Sequence, residues 1–288
     1  MFKGAAGNTL VADVYGDAGQ PVLLLHGGGQ TRHAWRRTAE QLARTGAVAY
    51  ALDQRGHGDS EWVADGSYAF FDFADDAAAV ATALTQRSGV KPVAIGASLG
   101  GISSLLAEGN AEGKSGGPIF SAIVLVDVTP RVDRSGVAKI QGFMRERADE
   151  GFATIKEAAD AVAAYLPHRP RPRSQEGLKK NLRLHPDGRW RWHWDPAVLK
   201  GERSFAIDHR ILERALVEAA KAITIPALLV RGGSSELVHD AHVREFLEFV
   251  PHADYIDVAD ARHMVAGDSN DRFSAAVLDF VGKLQANA

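Results

Sequence analysis

The sequence predicts an α/β protein with a mostly parallel central sheet that is flanked by helices. Short apolar runs that end in glycine or turn residues alternate with longer amphipathic stretches, which is typical of parallel strands covered on both faces. This alternation stops after Thr129-Pro130 and restarts at Ile225-Pro226. Because a connection of that length is uncommon in a compact domain without structure of its own, we expect an inserted helical lid.

The apolar runs and the amphipathic stretches locate the individual elements. Predicted parallel strands are Val22–Leu25, Val48–Leu52, Val93–Ile95, Ile123–Val126, Ala227–Val230 and Tyr255–Val258, with an antiparallel edge strand at Thr9–Tyr15. Predicted helices are Ala34–Thr45, Phe71–Ser88, Gly100–Ala111, Arg210–Ala222, Asp240–Val250 and Arg272–Gln285. We therefore expect a core of residues 1–130 and 223–288 and a lid of residues 131–222.

Composition excludes several classes of protein. The chain has 288 residues, 45% of them hydrophobic, which is enough for a large buried core. Its net charge of -3 leaves no broad basic surface, so nucleic acid is not an expected partner. It has no cysteine, which excludes disulfides, thiolate metal sites and a cysteine nucleophile. With no signal peptide and no apolar run near the ~20 residues that span a bilayer, we expect a cytoplasmic protein without membrane contacts.

The segment Gly96-Ala97-Ser98-Leu99-Gly100 places a Gly-x-Ser-x-Gly motif between a predicted strand and a predicted helix. A sharp strand-to-helix turn strains the serine backbone and leaves room only for small residues beside it. The N–H groups at the start of the helix would also favour a developing negative charge. The motif alone would fit a glycine-rich loop with a solvated serine, but the flanking elements favour Ser98 as a nucleophile.

Two further motifs complete a resemblance to a known family. They are His26-Gly27-Gly28-Gly29 and Asp53-Gln54-Arg55-Gly56-His57-Gly58-Asp59-Ser60, each after a predicted strand. With the serine motif, they resemble the α/β-hydrolase superfamily, in the branch of esterases, haloperoxidase-like and epoxide-hydrolase-like enzymes. The resemblance covers nearly all of the chain except the lid. Epoxide hydrolases have aspartate at the position of Ser98, whereas serine suits attack on an acyl carbonyl.

The resemblance also implies the groups that assist the serine. The oxyanion would be bound by the N–H groups of Leu99 and Gly28, with Gly29 as the neighbouring candidate. A phosphate-binding loop is disfavoured, because no Lys-Ser/Thr pair follows the glycines. The base would be His263, which lies between the last predicted strand and the final helix.

Several carboxylates could orient this histidine. Glu236 follows the penultimate strand and preserves the chain order serine, acid, histidine, although most relatives have aspartate there. Asp127 follows the preceding strand and is the alternative acid, while Asp240 and Asp260 are weaker candidates. We prefer Glu236 at this stage, and a solvated loop carboxylate or a helix cap is the competing interpretation for each of them.

Other residues are expected to shape the site. Asp53 and Arg55 would form a mutual ion pair in the glycine-rich turn. The residues Trp190, Trp192 and Trp194 alternate with polar residues, so in a strand they would share one face. That aromatic face could line a substrate pocket or fix the lid to the core, and the sequence does not decide between the two.

Taken together, the residues predict a serine hydrolase that cleaves a carboxylic ester or similar acyl bond of a small, moderately hydrophobic substrate through an acyl-enzyme. This mechanism requires no metal and no organic cofactor. Either a monomer or a homodimer would be compatible with the sequence. The alternatives are the same residues acting on a lactone, an amide or a C–C bond, and a non-catalytic ligand receptor on this fold.

Overall fold

A computed structural model describes residues 1–113, 116–167, 175–201, 204–205, 209–259, 261–263 and 270–286. Its strands are β1 (Phe2–Lys3), β2 (Thr9–Leu10), β3 (Ala12–Tyr15), β4 (Gln20–Leu25), β5 (Ala47–Leu52), β6 (Val93–Ala97), β7 (Ala122–Val126), β8 (Leu182–Leu184), β9 (Trp190–Trp192), β10 (Ala227–Gly232) and β11 (Asp254–Val258). Its helices are α1 (Arg36–Arg44), α2 (Phe70–Ser88), α3 (Leu99–Gly113), α4 (Arg134–Arg145), α5 (Ile155–Tyr165), α6 (Ala197–Lys200), α7 (His209–Ala222), α8 (Asp240–Phe249) and α9 (Asn270–Ala286).

The central sheet has seven strands in the order β11-β10-β7-β6-β4-β5-β3. All neighbouring strands are parallel except β3, which pairs antiparallel with β5 at the edge. Each residue of β7 is buried, as expected for a central strand that is covered on both faces. The predicted fold class is therefore confirmed, and so is the antiparallel edge.

Helices cover the two faces of this sheet. Side chains that alternate along β4 face opposite sides: Leu23 and Leu25 pack with α2, α3, α7 and α8, whereas Val22 and Leu24 pack with α1 and α9. This is the period-2 pattern of a strand with two buried faces. The helix α7 packs directly on α3, since a Cβ added at Gly109 would overlap Ala219.

The segment between β7 and β10, which we call the insertion (residues 131–222), contains α4 to α7 and one antiparallel hairpin. The sequence predicts helices in this segment, and the structure has the hairpin in addition to them. In the hairpin of β8 and β9, Leu182 lies opposite Trp192. Alternation of Trp190 and Trp192 with Arg191 suits a strand, because alternate side chains of a strand point to opposite faces.

Two ion pairs stabilise the loop after β5, and they differ from the expected pairing of Asp53 with Arg55. The buried Arg55 donates through Nε and Nη2 to the two carboxylate oxygens of Asp76 in α2, at 2.7 Å each. The carboxylate of Asp53 instead accepts from the backbone and guanidinium of Arg32 and from the Asp59 N–H. The turn points the two side chains toward different elements, so they do not meet.

None of the helices in the described part of the chain is long and apolar enough to cross a membrane.

The crossing of β6 and α3 leaves no space for a side chain at Gly96, where a Cβ would overlap the carbonyl of Gly100. We expect Gly96→Ala to destabilise the fold by about 3 kcal/mol, because overpacking forces the backbone to shift. The matched control is Gly282→Ala on the exposed face of α9, where nothing lies within 4 Å. It should stabilise the helix by up to about 1 kcal/mol. Urea unfolding measures both changes, and equal stabilities of the two variants would contradict this packing argument.

Candidate active site

The serine of the Gly-x-Ser-x-Gly motif lies at the turn between β6 and α3. Its backbone is in the left-handed region, with φ of 48°, which is uncommon for a residue other than glycine. The Ser98 N–H donates to the Val126 carbonyl at 3.2 Å, and the Ser98 carbonyl accepts from the first turn of α3. Ser98 is half-buried, between the half-buried Ala97 and the buried Leu99. Ser98 is thus held at a strained, accessible position at the start of a helix.

Strand register places the motif residue His26 next to two predicted site residues, Ser98 and Asp127. In the ladder, Gly96 of β6 lies opposite Leu25 of β4, and Ala97 lies opposite Val126 of β7. The residues that follow these positions are His26, Ser98 and Asp127. Because neighbouring strands lie ~4.8 Å apart, the carboxyl ends of the three strands bring these residues to one edge of the sheet.

The loop of residues 26–30 faces this serine. A Cβ added at Gly27 would lie 3.5 Å from the Ser98 Cβ. Within the loop, the Gly27 N–H donates to the Gln30 side chain at 3.1 Å, and the Gly29 N–H donates to Nε2 of His57 at 3.1 Å. The Gly29 N–H is therefore already engaged. Among the described residues, the half-buried Gly28 N–H has no such acceptor.

Two buried imidazoles hold this loop, and both act as neutral rings. His26 accepts from the Gln54 N–H at 3.0 Å through Nε2 and donates through Nδ1 to the Gly27 carbonyl. His57 accepts from Gly29 through Nε2 and donates through Nδ1 to the Arg55 carbonyl at 2.9 Å. Burial, with the nearby His26 as a second cause, lowers the pKa of His57 to about 3. Burial also lowers the pKa of His26.

The predicted base, His263, is paired with the alternative acid. Its Nδ1 lies 2.8 Å from Oδ2 of Asp127, and the Asp127 side chain is fully buried. The Asp127 backbone has a φ of 51°, which turns the side chain off the end of β7. The same carboxylate accepts from the Gly232 N–H at 3.0 Å and from the Ser235 hydroxyl at 2.6 Å. Three donors thus stabilise one buried negative charge.

The structure does not place Glu236, the acid preferred from the sequence, against His263. Glu236 lies four positions beyond Gly232, the end of β10, and the hydroxyl of the intervening Ser235 points at Asp127 instead. Asp240, a weaker candidate, forms an ion pair with Arg231 at the start of α8. Asp260 lies outside the described residues. The acid that contacts the histidine is Asp127.

The loop that carries His263 is fixed by the end of β10. A Cβ at Gly232 would lie 2.5 Å from the Arg262 carbonyl oxygen and 2.7 Å from that of Ala261. The Ser234 N–H donates to the Ala261 carbonyl at 2.9 Å. Glycine at position 232 therefore allows the close approach that brings His263 to Asp127.

The tryptophan-rich segment connects the insertion to the core. Trp194 forms a backbone bridge with His57, and the Gly58 N–H donates to the His193 carbonyl at 2.7 Å. Trp190 forms a similar bridge with Phe152 inside the insertion. Trp192 is buried against Phe143 and Phe152. These contacts favour the interpretation that the tryptophans fix the insertion in place.

Apolar side chains of the insertion lie over the glycine loop. A Cβ at Gly28 would lie 3.6 Å from a ring carbon of Phe205 and 3.8 Å from the terminal methyl of Met144. Leu99, the residue after the serine, is buried in the same apolar cluster as these two side chains. The candidate site is therefore covered on the side of Gly28 by an apolar surface.

Two residues of the site escaped sequence reasoning. Ser235 was not singled out, although its hydroxyl donates to Asp127 and accepts from the N–H groups of Leu237 and Val238. His57 entered the sequence analysis only as a member of the motif of residues 53–60. Both residues could have been found from their position, because each lies a few residues after a predicted strand. The carboxyl ends of parallel strands lie at the edge of the sheet where ligands bind. Across the described ranges of the chain, no group of three or more histidine and acidic residues could hold a metal ion.

Comparison with known proteins agrees with this fold. Residues 20–269 match the family model described as alpha/beta hydrolase fold, so the chain belongs to that family of enzymes. The sequence is 29% identical to an esterase of Mycobacterium tuberculosis, over 88% of this chain and 80% of the relative. It is 27% identical to the 2-(acetamidomethylene)succinate hydrolase of Mesorhizobium japonicum, over 80% and 77% of the two chains.

Solved structures show the same architecture. A crystal structure of an E-2-(acetamidomethylene)succinate hydrolase superposes with a TM-score of 0.81 at 24% identity, and the match covers 96% of each chain. A structure of the M. tuberculosis esterase superposes with a TM-score of 0.71 at 26% identity, covering 96% of this chain and 92% of the other.

The lowered pKa of His57 makes stability depend on pH in a defined direction. The folded pKa of about 3 lies below the ordinary value of 6.5. The contribution of the neutral His57 ring to the free energy of unfolding is therefore complete above pH ~6.5 and is lost as pH falls toward 3. Over that range we expect His57→Gln to reduce the pH dependence of the unfolding free energy by up to about 1.4 kcal/mol per pH unit. Urea unfolding at pH 7 and pH 5 measures it. The control is the exposed His209→Gln, and the same slope in wild type and His57→Gln would refute the buried neutral imidazole.

Proposed function

We propose that this protein is a serine hydrolase that cleaves a carboxylic ester or similar acyl bond through an acyl-enzyme at Ser98. The observation that carries the proposal is the 2.8 Å contact between Nδ1 of His263 and the buried carboxylate of Asp127. Asp127 follows β7, the strand that pairs with β6, and β6 leads into Ser98, whose backbone φ is 48°. A serine at a strained strand-to-helix turn, a histidine and a buried carboxylate form the constellation that activates a hydroxyl for acyl transfer.

In the proposed first step, His263 acts as the base. Its Nδ1–H donates to Asp127, so Nε2 is the nitrogen that accepts the proton of the Ser98 hydroxyl. The Ser98 oxygen forms a bond to the substrate carbonyl carbon, and the π electrons of that carbonyl move to its oxygen. The electron pair on that oxygen then re-forms the carbonyl as the C–O bond to the leaving group breaks, His263 gives its proton to the departing oxygen, and the acyl-enzyme remains.

The negative charge on the carbonyl oxygen requires donors that are already in position. Leu99 is the first residue of α3, where N–H groups have no acceptor one turn earlier in the helix. Gly28 offers the second N–H, because its neighbour Gly29 already donates to His57. We propose these two groups as the oxyanion hole, with His57 as the residue that fixes the orientation of the loop.

Hydrolysis of the acyl-enzyme uses the same residues in reverse roles. His263 removes a proton from water as the oxygen attacks the acyl carbon, and it then returns the proton to the Ser98 oxygen as the acid leaves. Asp127 keeps the imidazole orientation and stabilises the imidazolium in both half-reactions. The three donors to Asp127 maintain this carboxylate in one position throughout.

The proposed substrate is small and moderately hydrophobic. Met144 and Phe205 lie next to Gly28 and would contact groups attached to the carbonyl. The insertion would act as a lid over this region. The similarity to proteins named as an esterase and as 2-(acetamidomethylene)succinate hydrolase supports hydrolysis as the reaction type. A cytoplasmic location and a monomeric or homodimeric state stay predictions from the sequence.

Replacing the proposed acid tests the assignment of Asp127 over the other carboxylates. We expect Asp127→Asn to lower kcat by about 10⁴-fold, because an amide at this position favours the wrong imidazole tautomer. The control is Asp240→Asn, which removes the same charge from a mostly exposed carboxylate on α8 and should keep kcat within a few-fold. Steady-state hydrolysis of p-nitrophenyl butyrate measures both. Near-wild-type activity of Asp127→Asn would exclude this residue as the acid.

A burst assay tests the acyl-enzyme itself. On p-nitrophenyl esters of increasing acyl length, we expect wild type to release a rapid burst of nitrophenol that is stoichiometric with enzyme, followed by slower turnover. Ser98→Ala should lose the burst, because no acyl group can be transferred to the side chain. Equal slow release by the two proteins would refute the proposal and favour a different scissile bond or a ligand receptor.

A further inference from the structure

One carboxylate oxygen of a half-buried residue beside the proposed triad has no hydrogen-bond partner among the described residues. Oε2 of Glu236 is shielded from solvent, and no donor in the described ranges reaches it. A buried carboxylate oxygen without a hydrogen bond is costly, so a ligand that donates a hydrogen bond to it would bind favourably. The proposed mechanism gives Glu236 no role, which leaves its position to be explained.

The backbone around Glu236 places it between the triad and the insertion. On one side, the preceding Ser235 donates to Asp127 at 2.6 Å. On the other side, the Leu237 carbonyl accepts from the N–H of Asp133, the N-cap residue of α4, at 2.8 Å. A Cβ at Gly136 in the first turn of α4 would overlap the Glu236 carbonyl. Glu236 therefore lies beneath α4, next to the segment that holds the catalytic acid.

Aromatic side chains of the insertion are carried by the helix that covers Glu236. Gly136, where a Cβ would overlap the Glu236 carbonyl, and Phe143 lie two turns apart on the same face of α4. Burial, and then the charge of Glu236, raise the pKa of Tyr165 to about 12. The Tyr165 ring stacks on Phe143 with centroids 4.1 Å apart and an interplanar angle of 8°. Phe143 in turn contacts Trp192 at 5.8 Å. The face of α4 that packs on the Glu236 backbone therefore carries a group of aromatic rings.

Cations near this loop are paired with other carboxylates. Arg231 forms ion pairs with Asp240 and Asp257. Arg131, at the start of the insertion, forms ion pairs with Glu213 and Glu245. These arginines already have partners of their own, which leaves the negative charge of Glu236 available to a group brought by the substrate.

We propose that Glu236, with Phe143 and Tyr165, forms a subsite for an ammonium group of the substrate. An N–H-bearing ammonium supplies the donor that the buried carboxylate oxygen lacks, and aromatic faces attract a cation through their quadrupole. A carboxylate-bearing substituent would be repelled at the same place. The inference rests on the proposed function, since it assigns a specificity group to the same reaction.

Matched pairs of esters test the subsite. The first pair is 2-(dimethylamino)ethyl butyrate, which is protonated at neutral pH, and its uncharged isostere 3-methylbutyl butyrate. The second pair has the charge on the acyl side: ethyl 4-(dimethylamino)butanoate and ethyl 5-methylhexanoate. Titration of released acid at pH 7 gives kcat/KM for wild type, for Glu236→Gln and for the control Glu146→Gln, which removes the same charge from an exposed site at the end of α4.

We expect wild type to prefer the cationic ester over its isostere by about tenfold in at least one pair. Glu236→Gln should reduce this ratio to near one, and Glu146→Gln should leave it unchanged. Because a general loss of activity lowers kcat/KM for both esters of a pair equally, it leaves the ratio within the pair unchanged. Equal rates on both esters of each pair in wild type, or an unchanged ratio in Glu236→Gln, would overturn the subsite.

The failure of the subsite can be distinguished from the failure of the proposed function. If wild type shows the Ser98-dependent burst on p-nitrophenyl butyrate but no cation preference, the subsite is wrong and the serine hydrolase stands. If the burst is absent, the proposed function fails first. If Glu236→Gln does not fold, inhibition of wild type by N,N-dimethylpropylamine against its neutral isostere 2-methylpentane gives the same test, and equal inhibition overturns the subsite.

Discussion

The buried carboxylate of Asp127 is the interaction on which the rest of the site depends. A fully buried negative charge is stable only if donors surround it, and Asp127 receives three: the Gly232 N–H, the Ser235 hydroxyl and Nδ1 of His263. These donors come from β10, from the loop after it, and from the loop after β11. The Asp127 side chain therefore connects the end of β7 to the end of β10 and to the loops that follow β10 and β11, and it sets the orientation of His263.

A second set of contacts organises the opposite side of the serine without any charge. His26 and His57, whose pKa values are lowered by burial, act as neutral imidazoles that accept from backbone N–H groups and donate to backbone carbonyls. They fix the loop of residues 26–30. Among the described residues, the Gly28 N–H has no acceptor in this loop, so it can donate to the proposed oxyanion. The insertion reaches the same place, because Trp194 bridges to His57. The covering segment and the proposed oxyanion loop thus share one structural support.

Sequence periodicity was sufficient for the fold class, because strands buried on both faces leave a strong local pattern. The Gly-x-Ser-x-Gly motif located Ser98 at the turn between β6 and α3, and the family resemblance implied His263. Neither was sufficient for the acid. Glu236 and Asp127 both follow strands, and the choice between them depends on the backbone of Asp127, whose φ of 51° turns the carboxylate toward β10. That angle, and the pairing of Arg55 with Asp76 instead of Asp53, arise from tertiary packing. No pattern local to either residue encodes them.

The most direct test of the account is a crystal structure of the protein after reaction with an alkyl phosphonate, which mimics the tetrahedral intermediate. We expect a covalent bond from phosphorus to the Ser98 oxygen, with the phosphoryl oxygen ~2.7–3.1 Å from the nitrogens of Gly28 and Leu99, and with His263 still hydrogen-bonded to Asp127. A phosphonate attached to another residue, or a phosphoryl oxygen bound away from these two N–H groups, would contradict it.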